Sequence, residues 1–570
     1  MANTSVFDSA PKGASIPETD TTNHAGGRAY SFGPEHALAQ LACTGTFADT
    51  FYSDADDQLI RLRKIADQVS PEFLAKCAIY ARQKGGMKDM PAALQVMLSK
   101  ADPILSAKVF PRVIDNAKMV RNLVQMVRSG VFHRKSLGSS LKRLVNGWIR
   151  QRSSRALFRA TVGNKPSIAD VIRLARTRGK DAEQTALIGY ILQGAFGAPY
   201  TYDAEALPEI VQQFEAFKAG VSDVLPAVDF RQLASLPLLP EHWAKIALDG
   251  GWMFTRMNLN TFARQGVFAL PQDAISRLGR AVGEEPNMAE IIADRLRNRA
   301  EILNARQFPY QILSAYINTG PAHGHGLSAY PRSISSQKGA ESVPREVRDA
   351  LHDAMEIAVE NVPSFGVKTA VIVDVSGSMS ASITGERKGA NSKVRCIDVA
   401  ALIGAAIMRQ NPGSFVLPVD TSVHGTDAIT HRDSIMTNAE RLAAFGGGGT
   451  NLSEAMRHLN ASKEAAGVKL VVMVSDCESW LDGGGSNRSD SYYGARRGTN
   501  TMMEFRKLQQ RHPDAKLVCI DLQPYGTTQA PDAPGSCMNI GGFSSAVWET
   551  IKRFVDGETA GSASVWVDEI

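Results

Sequence analysis

The residues best suited to chemistry lie at Asp374-Val-Ser376-Gly-Ser378, which follows an apolar run from Thr369 to Val373. A carboxylate and two hydroxyls, each one residue apart, stand where a buried strand would end. Two later segments add the same kind of donor. Gly446-Gly-Gly-Gly449-Thr450 offers a hydroxyl after a backbone free enough to come close to an ion. Lys469-Leu-Val-Val-Met-Val-Ser-Asp476 is a second apolar run ending in a carboxylate. Mg²⁺ or Mn²⁺ takes hard oxygen ligands in near-octahedral geometry, with few carboxylates. Asp374, Ser376, Ser378, Thr450 and Asp476 are therefore the candidate metal ligands. A lone Asp-x-Ser-x-Ser is common in turns. Three oxygen-bearing loops at the ends of strands fit a binding crevice in an open parallel sheet. Cys477, next to Asp476, is too soft a donor for Mg²⁺ and reads as packing.

The second chemical feature is charge. The chain of 570 residues carries a net +5, unevenly spread. From Arg112 to Lys180 seventeen Lys or Arg face only Asp115 and Asp170, so that segment is +15 and the remainder −10. A one-signed block of this size points to a polyanion surface, against the alternative of a solubilising face. Arg134, Lys135, Lys142, Arg143, Arg150, Arg152, Arg155 and Arg159 recur at spacings that cluster on helix faces. Arg256, Asn260 and Arg264 fall at i, i+4 and i+8, one helical stripe. By residue type that stripe reads as a buried polar network between helices, and a family resemblance carried by other motifs implies instead a path for single-stranded nucleic acid. His323 and His325 have no third ligand nearby and read as a loop feature.

The elements that must hold these groups divide the chain. Residues 1–25 are rich in Ser, Thr, Asn and Gly and read as disordered. Residues 26–362 are helical nearly throughout. The spacing predicts helices at Ser70–Arg82, Ala92–Leu98, Val109–Val127, Leu137–Ile149, Ile168–Ala175 and Glu205–Phe217. Such a series suits a solenoid of helix pairs or an irregular bundle. From residue 363 to 570 strands and helices alternate. Strands are expected at Thr369–Val375, Ser414–Val419, Lys469–Ser475 and Ala515–Leu522, and helices at Val394–Gln410, Asn451–Ala461, Thr501–Arg511 and Ser544–Val555. Alternation of this kind means a doubly wound α/β domain with a parallel sheet. Two polar insertions, Ile383–Lys393 and Leu481–Asn500, share the edge that carries the ligands.

Composition excludes some classes. No apolar run approaches the ~20 residues of a membrane span. Residues 1–20 lack the apolar core of a secretory signal. Six cysteines without C-x-x-C spacing read as reduced thiols, which suits a cytoplasmic protein.

With those residues in view, the second domain resembles a von Willebrand factor A domain. Asp374, Ser376, Ser378, Thr450 and Asp476 match the five elements of its metal-ion-dependent adhesion site. Together with the helical part, the chain resembles the Ro autoantigen (TROVE) family, most closely its bacterial members. The resemblance rests on Phe308-Pro-Tyr-Gln-Ile-Leu313 with Gly324-His-Gly326, on Leu141-Lys-Arg-Leu-Val-Asn-Gly-Trp148, on Gly449-Thr-Asn-Leu-Ser-Glu-Ala-Met456 and on Asp476-Cys-Glu-Ser-Trp480. It covers about Gly33 to the C-terminus. It implies a monomeric ring of HEAT-like repeats closed by the A domain, binding noncoding RNA. Structured Y RNAs would bind the outer basic surface, and the single-stranded 3′ end of a misfolded RNA would thread a central hole. It also implies an adaptor role beside a 3′→5′ exoribonuclease, polynucleotide phosphorylase. The Leu481–Asn500 insertion is longer than the family's pattern.

The leading reading is thus a non-enzymatic RNA-binding ring, with no DNA or membrane partner. Two alternatives stay open: a metal-dependent protein-binding module on a helical scaffold, and a metal-dependent nuclease or phosphatase. Two carboxylates with three hydroxyls suit ligand capture better than two-metal hydrolysis.

Overall fold

The computed structural model describes residues 16–45, 47–50, 52–163, 165–278, 287–319, 343–386, 394–480, 498–558 and 567. The Gly324–Gly326 motif, His323, His325 and most of the two polar insertions lie outside the described residues.

The helical part follows its capping residues. Ser70 accepts from the Phe73 N–H and opens Pro71–Gln83. Ser167 and Asp170 form a reciprocal capping box at the head of Ile168–Ala175. The helix expected over Val109–Val127 is two helices, Pro103–Val113 and Ala117–Arg128. Asn116 separates them because its side chain accepts from the Met119 N–H at 3.1 Å and so starts a new helix. The apolar pattern runs through that break on both sides, which hid it. The segment expected over Glu205–Phe217 is helical only at Glu209–Lys218, after Pro208.

The second part is an α/β domain. Strands β1 (Thr21–Thr22) and β2 (Arg28–Ser31) belong to the N-terminal segment. β3 (Thr369–Asp374), β4 (Phe415–Val419), β5 (Leu470–Ser475) and β6 (Lys516–Asp521) correspond to the four expected strands. β7 (Thr527–Thr528) and β8 (Cys537–Gly541) were not expected, nor was the helix Ile435–Ala444. The parallel sheet runs β4-β3-β5-β6-β8. β3 and β5 are buried at every residue, as strands covered by helices on both faces must be. Their register pairs Val373 with Val474, so both strands end at the same edge.

The helical array begins and ends on this domain. At the N-terminal seam β2 pairs antiparallel with β1 and with β7. β1 lies inside the stretch whose composition suggested disorder. Helix Pro34–Thr44 packs on β8, and His36 Nδ1 lies 2.7 Å from Asp532 Oδ2. At the other seam Pro309–Thr319 and Arg345–Ala358 pack on Cys396–Gln410 and Ile435–Ala444. There the Phe308 and Trp548 rings stack at 6.1 Å, and Tyr310 meets Phe543 edge-on at 5.2 Å. One apolar core runs from Leu38 through the helices into the sheet. The backbone therefore closes a circuit: a helical-repeat ring sealed by the α/β domain.

Among the described residues no helix is long and apolar enough to cross a membrane. All six cysteines are free thiols.

Candidate metal centre and basic face

Strand ends bring the predicted ligands together. Asp374 closes β3 and Asp476 directly follows β5. Both are buried, at 0% and 2% exposure. The Ser376 N–H donates to Asp374 Oδ1 at 2.9 Å, and the Ser475 hydroxyl donates to Asp374 Oδ2 at 2.5 Å. Ser376 Oγ and Ser378 Oγ lie 3.3 Å apart. The glycine loop is laid onto this turn. The Gly377 N–H donates to the Gly448 carbonyl at 3.1 Å, and the Gly447 N–H to the Val375 carbonyl at 3.3 Å. A Cβ at Gly446, whose φ is +107°, would stand 1.8 Å from the Val375 carbonyl oxygen, so only glycine fits there. The loop thereby delivers Thr450, buried at 2%, to the same edge. Trp480 covers Gly449, and the Ser479 hydroxyl donates to the Thr450 carbonyl at 3.2 Å.

The electrostatics are those of crowded, buried carboxylates. Burial raises the Asp374 carboxyl, and burial together with the Asp374 charge pushes Asp476 up to about 7. Two more buried carboxylates stand beside them. Burial and the Asp476 charge push Glu478 up to about 8 and Asp521 well up. The basic group acting on this cluster is Arg61, which acts on Asp521, and its guanidinium donates to the Pro524 carbonyl at 3.1 Å. Closely spaced buried carboxylates without a full complement of positive charge favour a cation in place of protons. Among the described residues no three His, Cys, Asp or Glu side chains gather closely enough to hold an ion alone. An ion here would depend on the hydroxyls as much as on Asp374 and Asp476, which suits a hard cation and argues against zinc.

The basic block sits on consecutive elements. Leu141, Val145, Trp148 and Ile149 face inward from helix Gly138–Gln151, which turns Arg143 and Arg150 to solvent and leaves Lys142 half-buried. Lys135, Arg155 and Arg159 are exposed too. Four members have intramolecular work. Arg134 donates to Ser99 Oγ and to the carbonyls of Ser136 and Leu137. Arg152 lies over the Trp148 ring at 4.3 Å and donates to the Asp115 carbonyl. Arg159 pairs with Asp229 at 2.7 Å while staying 63% exposed. Arg155 donates to the Ala227 carbonyl from the surface.

The stripe on helix Trp252–Arg264 is split. The Arg256 guanidinium donates to the Gln311 carbonyl, and burial draws its pKa down to about 10. It tethers this helix to Pro309–Thr319, as the buried-network alternative requires. Asn260 is exposed and donates to the Asn318 carbonyl at 2.9 Å. Arg264 is exposed and makes only long contacts within its own helix, at 3.3 and 3.4 Å.

Residues 368–555 match the family model described as the Ro60 vWA domain. The α/β part is a Ro60-type vWA domain. Over its whole length the Ro-like chain is similar to the RNA-binding protein RO60 of Deinococcus radiodurans, 22% identical over 584 residues that cover 96% of this chain and 97% of the relative. The crystal structure of the Deinococcus radiodurans RO (RSR) protein has the same fold. It matches with a TM-score of 0.57 and 17% identity, covering 92% of this chain and all of that one.

Buried residues at this edge of the vWA domain lie outside the five candidate ligands, Glu478 within the Asp476–Trp480 motif and Asp521 outside any. Glu478 and Asp521 sit where strands β5 and β6 run out, a position that could have flagged them. Cys477, with φ of +58°, turns the backbone so that Glu478 points inward. Tyr52 comes from the helical part, and its ring meets Tyr525 edge-on at 5.1 Å.

Proposed function

We propose that this chain is a non-enzymatic RNA-binding ring acting in noncoding RNA quality control or processing in the cytoplasm. Structured, Y RNA-like molecules bind the basic face around helix Gly138–Gln151. RNAs with a free single-stranded 3′ end enter the ring. The observation that carries the reading is the one-signed block: Lys135, Arg143, Arg150, Arg155 and Arg159 are all displayed to solvent from adjoining elements of a chain similar end to end to an RNA-binding protein. Phosphate contacts by Arg and Lys supply sequence-independent affinity that falls with salt. RNA binding measured across a salt series, with structured and 3′-tailed RNAs, tests it. A flat salt response would remove the basis of the proposal.

Asp374, Ser376, Ser378, Thr450 and Asp476 would hold Mg²⁺ or Mn²⁺. When bound, the ion neutralises the buried carboxylates and offers a coordination site. This chain's residues orient and shield it, since Ser475 and the Ser376 N–H fix the Asp374 carboxylate. As an adaptor the monomeric ring would pass 3′ ends to an exoribonuclease such as polynucleotide phosphorylase, and co-purification of that enzyme in an RNA-dependent manner tests this part. A metal-dependent protein-binding module is the second reading, favoured only by the donor set itself.

A further inference from the structure

The basic face has a neighbour that comes from outside its sequence block. The turn at residues 227–232, which leads into the short helix Phe230–Leu233, is docked on helix Ser154–Arg159. Arg155 donates to the Ala227 carbonyl, and Gln232 Nε2 donates to the Phe158 carbonyl at 3.0 Å. Asp229 lies between these two ties. Its carboxylate accepts from the Arg231 N–H at 3.1 Å and so caps the short helix.

Two guanidiniums from different elements converge on that carboxylate. Arg231 meets it side-on, with Nε 2.8 Å from Oδ1 and Nη2 3.0 Å from Oδ2. Arg159 Nε stands 2.7 Å from Oδ2. Burial alone would raise the Asp229 carboxyl, but the Arg231 hydrogen bonds and the Arg159 charge hold it below the usual carboxylate range. A third arginine is close by. Arg121 donates to the Ala160 carbonyl at 3.4 Å and to the Val162 carbonyl, just past Arg159. Among the described residues Asp229 is the only carboxylate that pairs with any of the three. The surplus of positive charge points outward. The Asp229 side chain is 10% exposed, against 49% for Arg231 and 63% for Arg159. Among the described residues the Arg159 side chain has no partner but Asp229. A planar guanidinium held in one orientation matches the oxygens of a phosphate.

We propose that Arg159 and Arg231, held in place by Asp229, form a two-arginine fork for one backbone phosphate of a structured RNA. This rests on the RNA reading above, and it adds to the basic face a residue, Arg231, from beyond the +15 segment. Asp229 is a positioning residue that sits behind both guanidiniums. Removing its charge makes the face more positive but releases the fork.

The full chain and a synthetic stem-loop RNA with a fully paired end test this across a salt series. Arg231→Ala should lower affinity about tenfold and flatten the log–log slope by about 1. Arg231→Lys should keep the slope and recover only part of the affinity, since an ammonium is a point charge without a fork. Asp229→Asn keeps a capping side chain and should weaken binding about threefold, with helical circular dichroism intact. Arg441→Ala removes an exposed, ion-paired arginine from the vWA domain and should leave the slope unchanged. Tighter or unchanged binding by Asp229→Asn would overturn the inference. So would a wild-type slope in Arg231→Ala, or an equal flattening in Arg441→Ala. If Arg143→Ala/Arg150→Ala flattens the slope and Arg231→Ala does not, the basic-face reading stands without the fork. A wild type whose RNA affinity ignores salt would sink both.

Discussion

The two seams that close the ring are built from opposite materials. At the seam of helices Pro309–Thr319 and Arg345–Ala358 aromatic and aliphatic side chains continue the core from one domain into the other, with Phe308 stacked on Trp548 and Tyr310 edge-on to Phe543. At the N-terminal seam short polar strands and a pair of tyrosine rings meet the edge that carries the buried carboxylates. Apolar burial is non-directional and insensitive to ions or to pH in the ordinary range. A seam of buried carboxylates depends on both. The difference implies one fixed joint and one conditional joint.

The largest effect that can break this comparison is at the ion itself. Asp374→Ala should lower Mg²⁺ or Mn²⁺ affinity by at least about 100-fold, above the ~10–100-fold typical of outer-shell changes. The helical part should stay folded. Calorimetric titration together with circular dichroism checks it, and retained ion binding would unseat the assigned ligands.

Acidity gives the next test. In ion-free protein the folded state holds the protons of Asp476 and Glu478 up to about 7 and about 8, whereas the unfolded chain releases them near the ordinary carboxylate range. The folded state then binds more protons across that window. Stability should be greatest below about pH 4 on this account alone and fall as pH rises to about 8. Mg²⁺ should raise Tm more at pH 8 than at pH 6, with the gain concentrated in exchange protection at the N-terminal seam. Equal gains at both pH values would count against carboxylates as the conditional element.

The smallest effects sharpen the reading of the helical stripe. Arg256→Ala removes the tether to the Gln311 carbonyl and should cost about 1–2 kcal/mol of stability in denaturant unfolding. Arg264→Ala should change stability by less than about 0.5 kcal/mol and reduce binding of RNAs with a free 3′ end. If both arginines behave alike, the division of the stripe into tether and free charge is wrong.

Much of this was legible in the sequence, for physical reasons. β3 and β5 are continuous apolar runs ending in Asp, and β-branched strands buried on both faces leave that trace. Four of the five candidate ligands follow such ends; Thr450, expected at a strand end too, lies instead on the glycine loop between helices Ile435–Ala444 and Leu452–Ala461. β8, Cys-Met-Asn-Ile-Gly, carries one β-branched residue and follows a Pro- and Gly-rich stretch, so it reads as loop. β2 is fixed by pairing with β7, some five hundred residues away, and β1 by pairing with β2 in turn, and no local pattern records that. In the stripe at Arg256, Asn260 and Arg264 the spacing was right, but spacing does not tell which side chain turns inward.

The central claim, an RNA-binding ring whose affinity resides in the basic face, is tested most directly by one salt titration. Structured RNA should bind the wild type with a log–log slope that flattens by roughly 2 in the Arg143→Ala/Arg150→Ala variant, about one for each phosphate that is no longer neutralised. The affinity loss should be far smaller for short single strands, and Asp374→Ala should match the wild type. An unchanged slope in the double variant, or equal losses for both RNA classes, would contradict it.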